Sequence, residues 1–192
     1  MINRNLDYYL YSDEKHDFNW GQFGIDLATV AMQGFAINGA AKGLKAAENI
    51  IIPATFEGTI YRCVENPYDP LEMSQYTIDS RHRYTDKGVP GLYFSSGEKI
   101  VRAELGNYDV TDFSNRTMYS YDVKLSNMLD VSNPVIREQL GVSLDSLIGE
   151  SYDVTHKIGK YAYDNGYNGI IAPSARADGG VNIILFSGKL VK

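Results

Sequence analysis

The sequence has few of the residues that build disulfide frameworks and metal sites. It contains one cysteine, Cys63, and three histidines, His16, His82 and His156, among its 192 residues. A single cysteine excludes an internal disulfide and a cysteine-ligated zinc site. No two of the histidines lie within metal-ligand spacing of each other. We therefore expect no resident metal ion.

Positive charge and long apolar runs are also scarce. Lysine and arginine number 18 against 24 acidic residues, a net charge of −6, which argues against a large phosphate-binding face for nucleic acid. The longest uncharged stretch, residues 27–41, is shorter than a membrane-spanning helix, and the first residues lack the apolar core of a signal peptide. The sequence predicts no nucleic-acid partner, no stable membrane insertion and no N-terminal signal peptide.

A change in composition divides the chain. Residues 20–52 are rich in glycine and alanine, which predicts closely packed helices, although each interior glycine costs about 1 kcal/mol relative to alanine. Pro53 marks the end of this segment, and from Gly58 short β-branched and aromatic runs alternate with turns. We expect a boundary near residue 55, with a helical leader at residues 1–55 and one domain at residues 56–192.

The second part interleaves short strands and helices. Its periodicity and turn residues predict helices at 97–106, 134–140 and 154–165, and strands at 59–64, 91–95, 118–125, 169–172 and 181–186. The long crossovers of a doubly wound parallel sheet do not recur. The expected fold class is α+β, with a mixed or antiparallel β core and short flanking helices.

One carboxylate lies among apolar residues. In the predicted helix 97–106, Glu104 lies within the stripe formed by Ile100, Val101 and Leu105. A carboxylate on the core-facing side of a helix is costly unless it is paired or functional. Glu104 is therefore either an active-site acid or a structural ion-pair partner.

Two glycine-rich loops carry further polar candidates. Arg81 and Arg83 precede a Gly-Val-Pro-Gly turn, and Ser174 follows the predicted strand 169–172. Glycines permit the close approach of a phosphate or sugar, and arginine offers a planar fork to phosphate oxygens. For either loop taken alone, an ordinary turn with surface arginines is the better interpretation. No nucleophile elbow, P-loop or dinucleotide glycine motif is present.

Several short motifs occur together between residues 58 and 188. They are Tyr61-Arg62, Arg83, Gly88-Val89-Pro90-Gly91-Leu92-Tyr93, Ala103-Glu104, Gly166-Tyr167-Asn168-Gly169, Pro173-Ser174-Ala175-Arg176, Gly180-Val181-Asn182 and Leu185-Phe186. In this order they resemble the RES domain family, which is named for its Arg, Glu and Ser. Arg83 lies ten residues before Tyr93 and Glu104 eleven after it, which is the family's spacing.

The resemblance implies an ADP-ribosyltransferase-like fold and a toxin that cleaves the nicotinamide–ribose bond of NAD. It also implies the site residues, which are Arg83, Tyr93, Glu104 and Ser174 as catalytic candidates and Arg62, Arg81, Tyr84 and Asn182 as substrate-binding candidates. The family usually has Gly-Gly-Arg-Trp-Asn around its arginine. Here the segment is Arg81-His82-Arg83-Tyr84-Thr85, so either arginine could enter the site, and the spacing favours Arg83.

The residues suit this chemistry. Cleavage releases neutral nicotinamide, so the leaving group needs no general acid, and a carboxylate such as Glu104 can stabilise the oxocarbenium-like transition state. Arg83 is then expected to hold the pyrophosphate, Tyr93 to stack on the nicotinamide or ribose, and Ser174 to hydrogen-bond that end of the substrate.

The implied partners follow from the same resemblance. NAD is the substrate, no further cofactor is expected, and a cognate immunity or antitoxin protein neutralises the toxin. Residues 1–55 resemble the segment before the toxic domain of secreted polymorphic toxins. This favours action in the bacterial cytoplasm, either of the producing cell or of a competitor after secretion. Transfer of ADP-ribose to a protein, and a non-catalytic binding module of the same fold, stay open as alternatives.

Overall fold

The computed structural model describes residues 51–106 and 108–191. The helices are α1 (Gln75–Asp79), α2 (Glu98–Gly106), α3 (Pro134–Leu140), α4 (Leu144–Ile148) and α5 (Asp153–Asp164), with a final 3-10 turn at Gly188–Leu190. The strands are β1 (Ala54–Glu65), β2 (Leu92–Ser95), β3 (Arg116–Asp130), β4 (Gly169–Pro173) and β5 (Val181–Leu185). The predicted glycine- and alanine-rich helices lie almost wholly outside the described residues.

The five strands close into a barrel in the order β1-β2-β5-β4-β3. Only β3 and β4 are parallel, and the other neighbours are antiparallel. The predicted α+β class, with a mixed sheet and short helices, is confirmed. Closure of the sheet was not predicted, because it depends on pairing between β1 and β3, which are more than 50 residues apart at Glu65 and Arg116.

Five predicted strands and three predicted helices are present; Pro134–Leu140 has the predicted ends and the other elements have shifted ends. The largest difference is β3, predicted at 118–125 and observed as Arg116–Asp130, because a long ladder with β1 extends it in both directions. The helices α1 and α4 were not predicted. Each has five residues, too few for a clear apolar period, and each begins after a serine cap, Ser74 or Ser143.

The sheet has a hydrophobic cluster on each side. Along β5, Ile183 and Leu185 belong to one cluster and Ile184 to the other, as the alternation of a strand requires. The helices α3, α4 and α5 cover the cluster that contains Ile184, to which they contribute Leu140, Leu147 and Ile158. The helix α2 packs against β1 and β2. In the two described ranges, no helix is long and apolar enough to cross a membrane.

Candidate active site

A cavity of about 590 Å³ lies beside β1, β2 and α2. Its polar lining includes Arg62, His82, Arg83, Glu104, Arg116, Arg176 and Asn182, and its aromatic lining includes Tyr61, Tyr76, Tyr93, Tyr108 and Tyr152. Four arginines line the cavity, whereas no lysine of the described ranges does. Arginine suits planar, two-point contact with phosphate oxygens better than the point charge of lysine.

Glu104 is held in a network that joins α2 to β5 and to the loop after β4. Its Oε1 accepts hydrogen bonds from Ser174 Oγ at 2.6 Å and from Asn182 Nδ2 at 2.7 Å. Asn182 is oriented by Ser95, its cross-strand partner, whose Oγ donates to Asn182 Oδ1 at 2.7 Å. Both donors act on one oxygen, and Oε2 receives no hydrogen bond from residues 51–106 or 108–191. The carboxylate is therefore fixed in orientation with one oxygen unused.

Ser174 uses its whole hydrogen-bonding capacity inside the protein. Its Oγ accepts from the backbone N–H groups of Arg176 and Ala177, each at 3.1 Å, and donates its hydrogen to Glu104. Its own N–H donates to the carbonyl of Gly180 at 2.8 Å. A hydroxyl has one hydrogen and two lone pairs, so the Ser174 hydroxyl orients Glu104 and has nothing left for a further ligand.

Residues 82–85, here called the arginine loop, form a tight turn that carries Arg83 and Tyr84. His82 and Thr85 exchange backbone hydrogen bonds at 2.8 and 3.2 Å. The Tyr93 hydroxyl accepts from the N–H of Tyr84 at 2.8 Å, and burial raises the pKa of Tyr93 above its ordinary value. Tyr93 therefore keeps its proton and ties β2 to the arginine loop, while the Tyr84 side chain is buried in the core.

Arg83 is oriented by neutral groups. Its Nη1 donates to the carbonyls of Leu147 at 3.1 Å and Gly149 at 2.6 Å. Its guanidinium lies 4.7 Å from the centroid of the Tyr152 ring, which is cation–π range.

Arg62 is the second arginine held by neutral groups. Its Nη1 donates to the carbonyl of Tyr93 at 3.0 Å, and its buried Nε has no hydrogen-bond partner among the described residues. Burial lowers the pKa of Arg62 from its ordinary value, although the group stays charged at neutral pH. In the described part of the chain, neither Arg62 nor Arg83 pairs with a carboxylate. A buried cation without a counter-ion is costly, so the cavity is suited to receive an anion.

The other arginines differ in this respect. Arg81 does not line the cavity, because its Nε pairs with Asp86 at 2.9 Å and its side chain is 61% exposed. Arg116 pairs with Glu65 at 3.4 Å, and Arg176 with Glu150 at 3.5 Å. Within the ranges that the structure describes, no group of three or more His, Cys, Asp or Glu side chains could hold a metal ion.

The structure brings most of the candidates together. Arg62, Arg83, Tyr84, Tyr93, Glu104 and Asn182 line the cavity, although the Tyr84 side chain is almost fully buried, and Ser174 contacts it through Glu104. Arg81 is the candidate that lies elsewhere. Sequence reasoning did not find Tyr108 and Tyr152, which come from segments without a motif. It could have found Arg176, because that residue follows Ser174 by two positions in the Pro-Ser-Ala-Arg motif.

Comparison with known proteins adds a family and a fold. The family model of the RES domain matches residues 59–192. Among solved structures, the chain is similar to the crystal structure of the M. tuberculosis MbcT-MbcA toxin-antitoxin complex. The TM-score is 0.63 at 18% sequence identity, and the match covers 80% of this chain and 87% of that chain. No match was found among curated proteins. At this identity the solved structure shows the shared fold.

Proposed function

Because the chain belongs to the RES domain family, we propose that it is a toxin and that it cleaves the nicotinamide–ribose bond of NAD. The structurally similar MbcT-MbcA assembly is a toxin-antitoxin complex, which supports the toxin part of the proposal. The observation that carries the chemistry is the composition of the cavity. It combines an oriented carboxylate, Glu104, with two arginines, Arg62 and Arg83, that lack a carboxylate partner within the described ranges.

The role of Glu104 follows from the charge that develops during cleavage. As the bond between ribose C1′ and the nicotinamide nitrogen breaks, its electron pair leaves with nicotinamide and the ribose gains oxocarbenium character. A fixed negative charge beside the ribose stabilises that state more than the ground state. The oxygen Oε2, which has no donor in the part of the chain that the structure describes, is available to a ribose hydroxyl.

The arginines suit the other part of the substrate. The pyrophosphate of NAD carries two negative charges, and a guanidinium can donate two parallel hydrogen bonds to such a group. Arg83 is already oriented by two carbonyls and the Tyr152 ring, so little side-chain entropy would be lost on binding. Ser174, Asn182 and Tyr93 act as positioning residues for Glu104 and the arginine loop.

Water completes the reaction. Its oxygen bonds to C1′, the products are ADP-ribose and nicotinamide, and one proton is released. The chain supplies orientation and electrostatic stabilisation, and NAD is consumed as substrate. A cognate antitoxin or immunity protein that covers the cavity would prevent this.

The direct test is incubation of the purified chain with NAD, followed by quantification of nicotinamide and free ADP-ribose. We expect both products in equal amounts. The variant Glu104→Gln, which should form little of either product, is the control. A second arm adds a bacterial lysate and NAD labelled in the adenosine part. Label on protein without free ADP-ribose would show that the activity is protein ADP-ribosylation and not hydrolysis of NAD. Unchanged NAD in both arms would favour a non-catalytic binding module.

In cells, the proposal predicts that production of the chain lowers NAD before growth stops. Growth arrest with unchanged NAD would contradict the glycohydrolase activity.

A further inference from the structure

His156 is a buried histidine that none of these roles uses. It lies on α5 with a side chain that is 10% exposed. Its Nε2 is 2.9 Å from the carbonyl oxygen of His82, and its Nδ1 is 3.4 Å from Nη2 of Arg81. A carbonyl only accepts and a guanidinium only donates. The two contacts are satisfied together when Nε2 carries the hydrogen and Nδ1 accepts.

The hydrogen bond from His156 acts on the residue next to Arg83. The carbonyl of His82 also accepts from the N–H of Thr85, which closes the arginine loop. His156 therefore ties this loop to α5 at the peptide unit that joins His82 to Arg83.

The ring of His156 reaches Arg83 by a second route. Tyr152 lies one helical turn before His156, and the two rings meet edge to face, with centroids 5.7 Å apart and planes at 72°. The guanidinium of Arg83 lies 4.7 Å from the centroid of the same Tyr152 ring. His156 therefore supports the ring on which Arg83 rests.

A third contact shows that α5 and the arginine loop are packed directly together. Gly159 follows His156 by three residues and so lies on the same face of the helix. A Cβ atom at Gly159 would lie 1.7 Å from the carbonyl oxygen of Tyr84. The backbones of α5 and the loop thus touch at Gly159, and His156 adds a side-chain hydrogen bond between them.

We propose that His156 is a positioning residue that holds Arg83 in the orientation required to bind the substrate's phosphates. This inference rests on the proposed function for its substrate. Loss of one neutral hydrogen bond corresponds to about a fivefold change in an equilibrium constant. We therefore expect His156→Ala to raise KM for NAD about five- to tenfold, with a smaller change in kcat, because Glu104 is not displaced.

Two further variants separate the two routes. His156→Gln keeps an N–H donor near the position of Nε2 and removes the ring. His156→Phe keeps a ring against Tyr152 and removes the donor. Each should reverse part of the rise in KM expected for His156→Ala, and they keep the test informative if the alanine variant folds poorly. Ile158→Val, a buried change on the same helix, is the matched control, which should lower the melting temperature and leave KM unchanged.

The decisive measurement is a double-mutant cycle with Arg83→Ala. If His156 acts through Arg83, then His156→Ala should raise KM no further when Arg83 is absent. A further rise of the same size in the Arg83→Ala background, or an unchanged KM in the parent background, would overturn the inference.

A readout without NAD separates this inference from the proposed function. The 15N-edited NMR signal of the Arg83 side-chain N–H, identified by its loss in Arg83→Ala, should be sharp in the parent and broadened in His156→Ala. If this pattern holds while the parent does not cleave NAD, the proposed function fails and the positioning role stands. If the parent cleaves NAD and the signal is identical in both proteins, the positioning role fails.

Discussion

Glu104 is the side chain on which the proposed chemistry depends most. In Glu104→Gln, the amide oxygen can still accept from Ser174 and Asn182, so the network should survive and the melting temperature should stay close to that of the parent. The negative charge is lost, and turnover of NAD should fall by about 10²–10³. Binding of NAD should change much less, because the ground state lacks the ribosyl charge. Steady-state kinetics and calorimetric binding check both expectations.

Glu98→Gln is the control on the same helix. Glu98 is exposed and pairs with Arg102, one turn further along α2. Such a surface pair contributes about 0.5 kcal/mol, so this variant should keep full turnover. Equal losses in both variants would mean that α2 requires its charge for folding, and full turnover in Glu104→Gln would return Glu104 to a structural role.

Arg83 and Arg81 form a matched pair two residues apart. Arg83 lines the cavity without a carboxylate partner in the described ranges, whereas Arg81 pairs with Asp86 outside it. Loss of a charge-assisted contact to phosphate costs about 1.5–3 kcal/mol, so Arg83→Ala should raise KM for NAD about 10- to 100-fold. Arg81→Ala should raise it little, because an exposed pair contributes at most about 1 kcal/mol. A larger rise in KM in Arg81→Ala than in Arg83→Ala would show that Arg81, and not Arg83, contacts the phosphate.

His82 should make the stability of the domain sensitive to acid. Burial, with a smaller contribution from the charge of Arg62, lowers the pKa of His82 from its ordinary value of 6.5. Below that value the unfolded chain binds the proton before the folded protein does, so this residue reduces stability as the pH falls. His82→Asn should therefore lose less stability than the parent between about pH 7 and about pH 5. Denaturant midpoints at the two pH values test this, and an equal loss of stability between the two pH values in both proteins would contradict it.

Among the secondary-structure elements, α5 acts as the support for the arginine loop. Replacement of a helical glycine by alanine ordinarily stabilises a helix by about 1 kcal/mol. At Gly159 the sign should reverse, because the added Cβ would lie 1.7 Å from the Tyr84 carbonyl oxygen and backbone must move. Gly159→Ala should lower the melting temperature and raise KM for NAD together. Thermal unfolding monitored by circular dichroism checks the melting temperature, and NAD kinetics on the folded variant check KM.

The matched change is Gly106→Ala at the end of α2, where, apart from its chain neighbours and the helix's own backbone, no atom of the described residues lies within 4 Å of the added Cβ. It should leave KM unchanged. A stabilised Gly159→Ala variant with an unchanged KM would show that α5 and the arginine loop can separate without cost.

For the molecule as a whole, the start of the fold can be tested by truncation. The predicted boundary near residue 55 stays a prediction, but Ile51 lies in the hydrophobic core and Ala54 pairs with Met128. Removal of residues 1–50 should leave the melting temperature of the domain unchanged. Removal of residues 1–55 also removes Ile51, whose burial is worth about 1.5–3 kcal/mol, and should lower the melting temperature by about 5–10 °C. Equal melting temperatures would show that residues 51–55 contribute nothing.

Much of the fold could be predicted because it depends on neighbouring residues. The helix Pro134–Leu140 begins and ends as predicted, since Asn133 caps it, Pro134 occupies its first turn and Gly141 has the left-handed conformation after it. The strands β4 and β5 could be predicted for the same reason, as short apolar runs bounded by turns. Three candidate site residues could also be predicted from their spacing, because Arg83, Tyr93 and Glu104 lie within one continuous segment.

The rest depends on contacts between residues far apart in the chain. Glu104 meets Ser174 across 70 positions and Asn182 across 78, and no local pattern shows that both donate to the same oxygen. The closure of the barrel, the exclusion of Arg81 and the support of Arg83 by Tyr152 have the same origin. Local sequence determines which segments are strands, helices and turns, because caps and apolar periods act within a few residues. Tertiary structure alone decides which side chains share the cavity, because packing and barrel closure join segments that lie far apart in the chain.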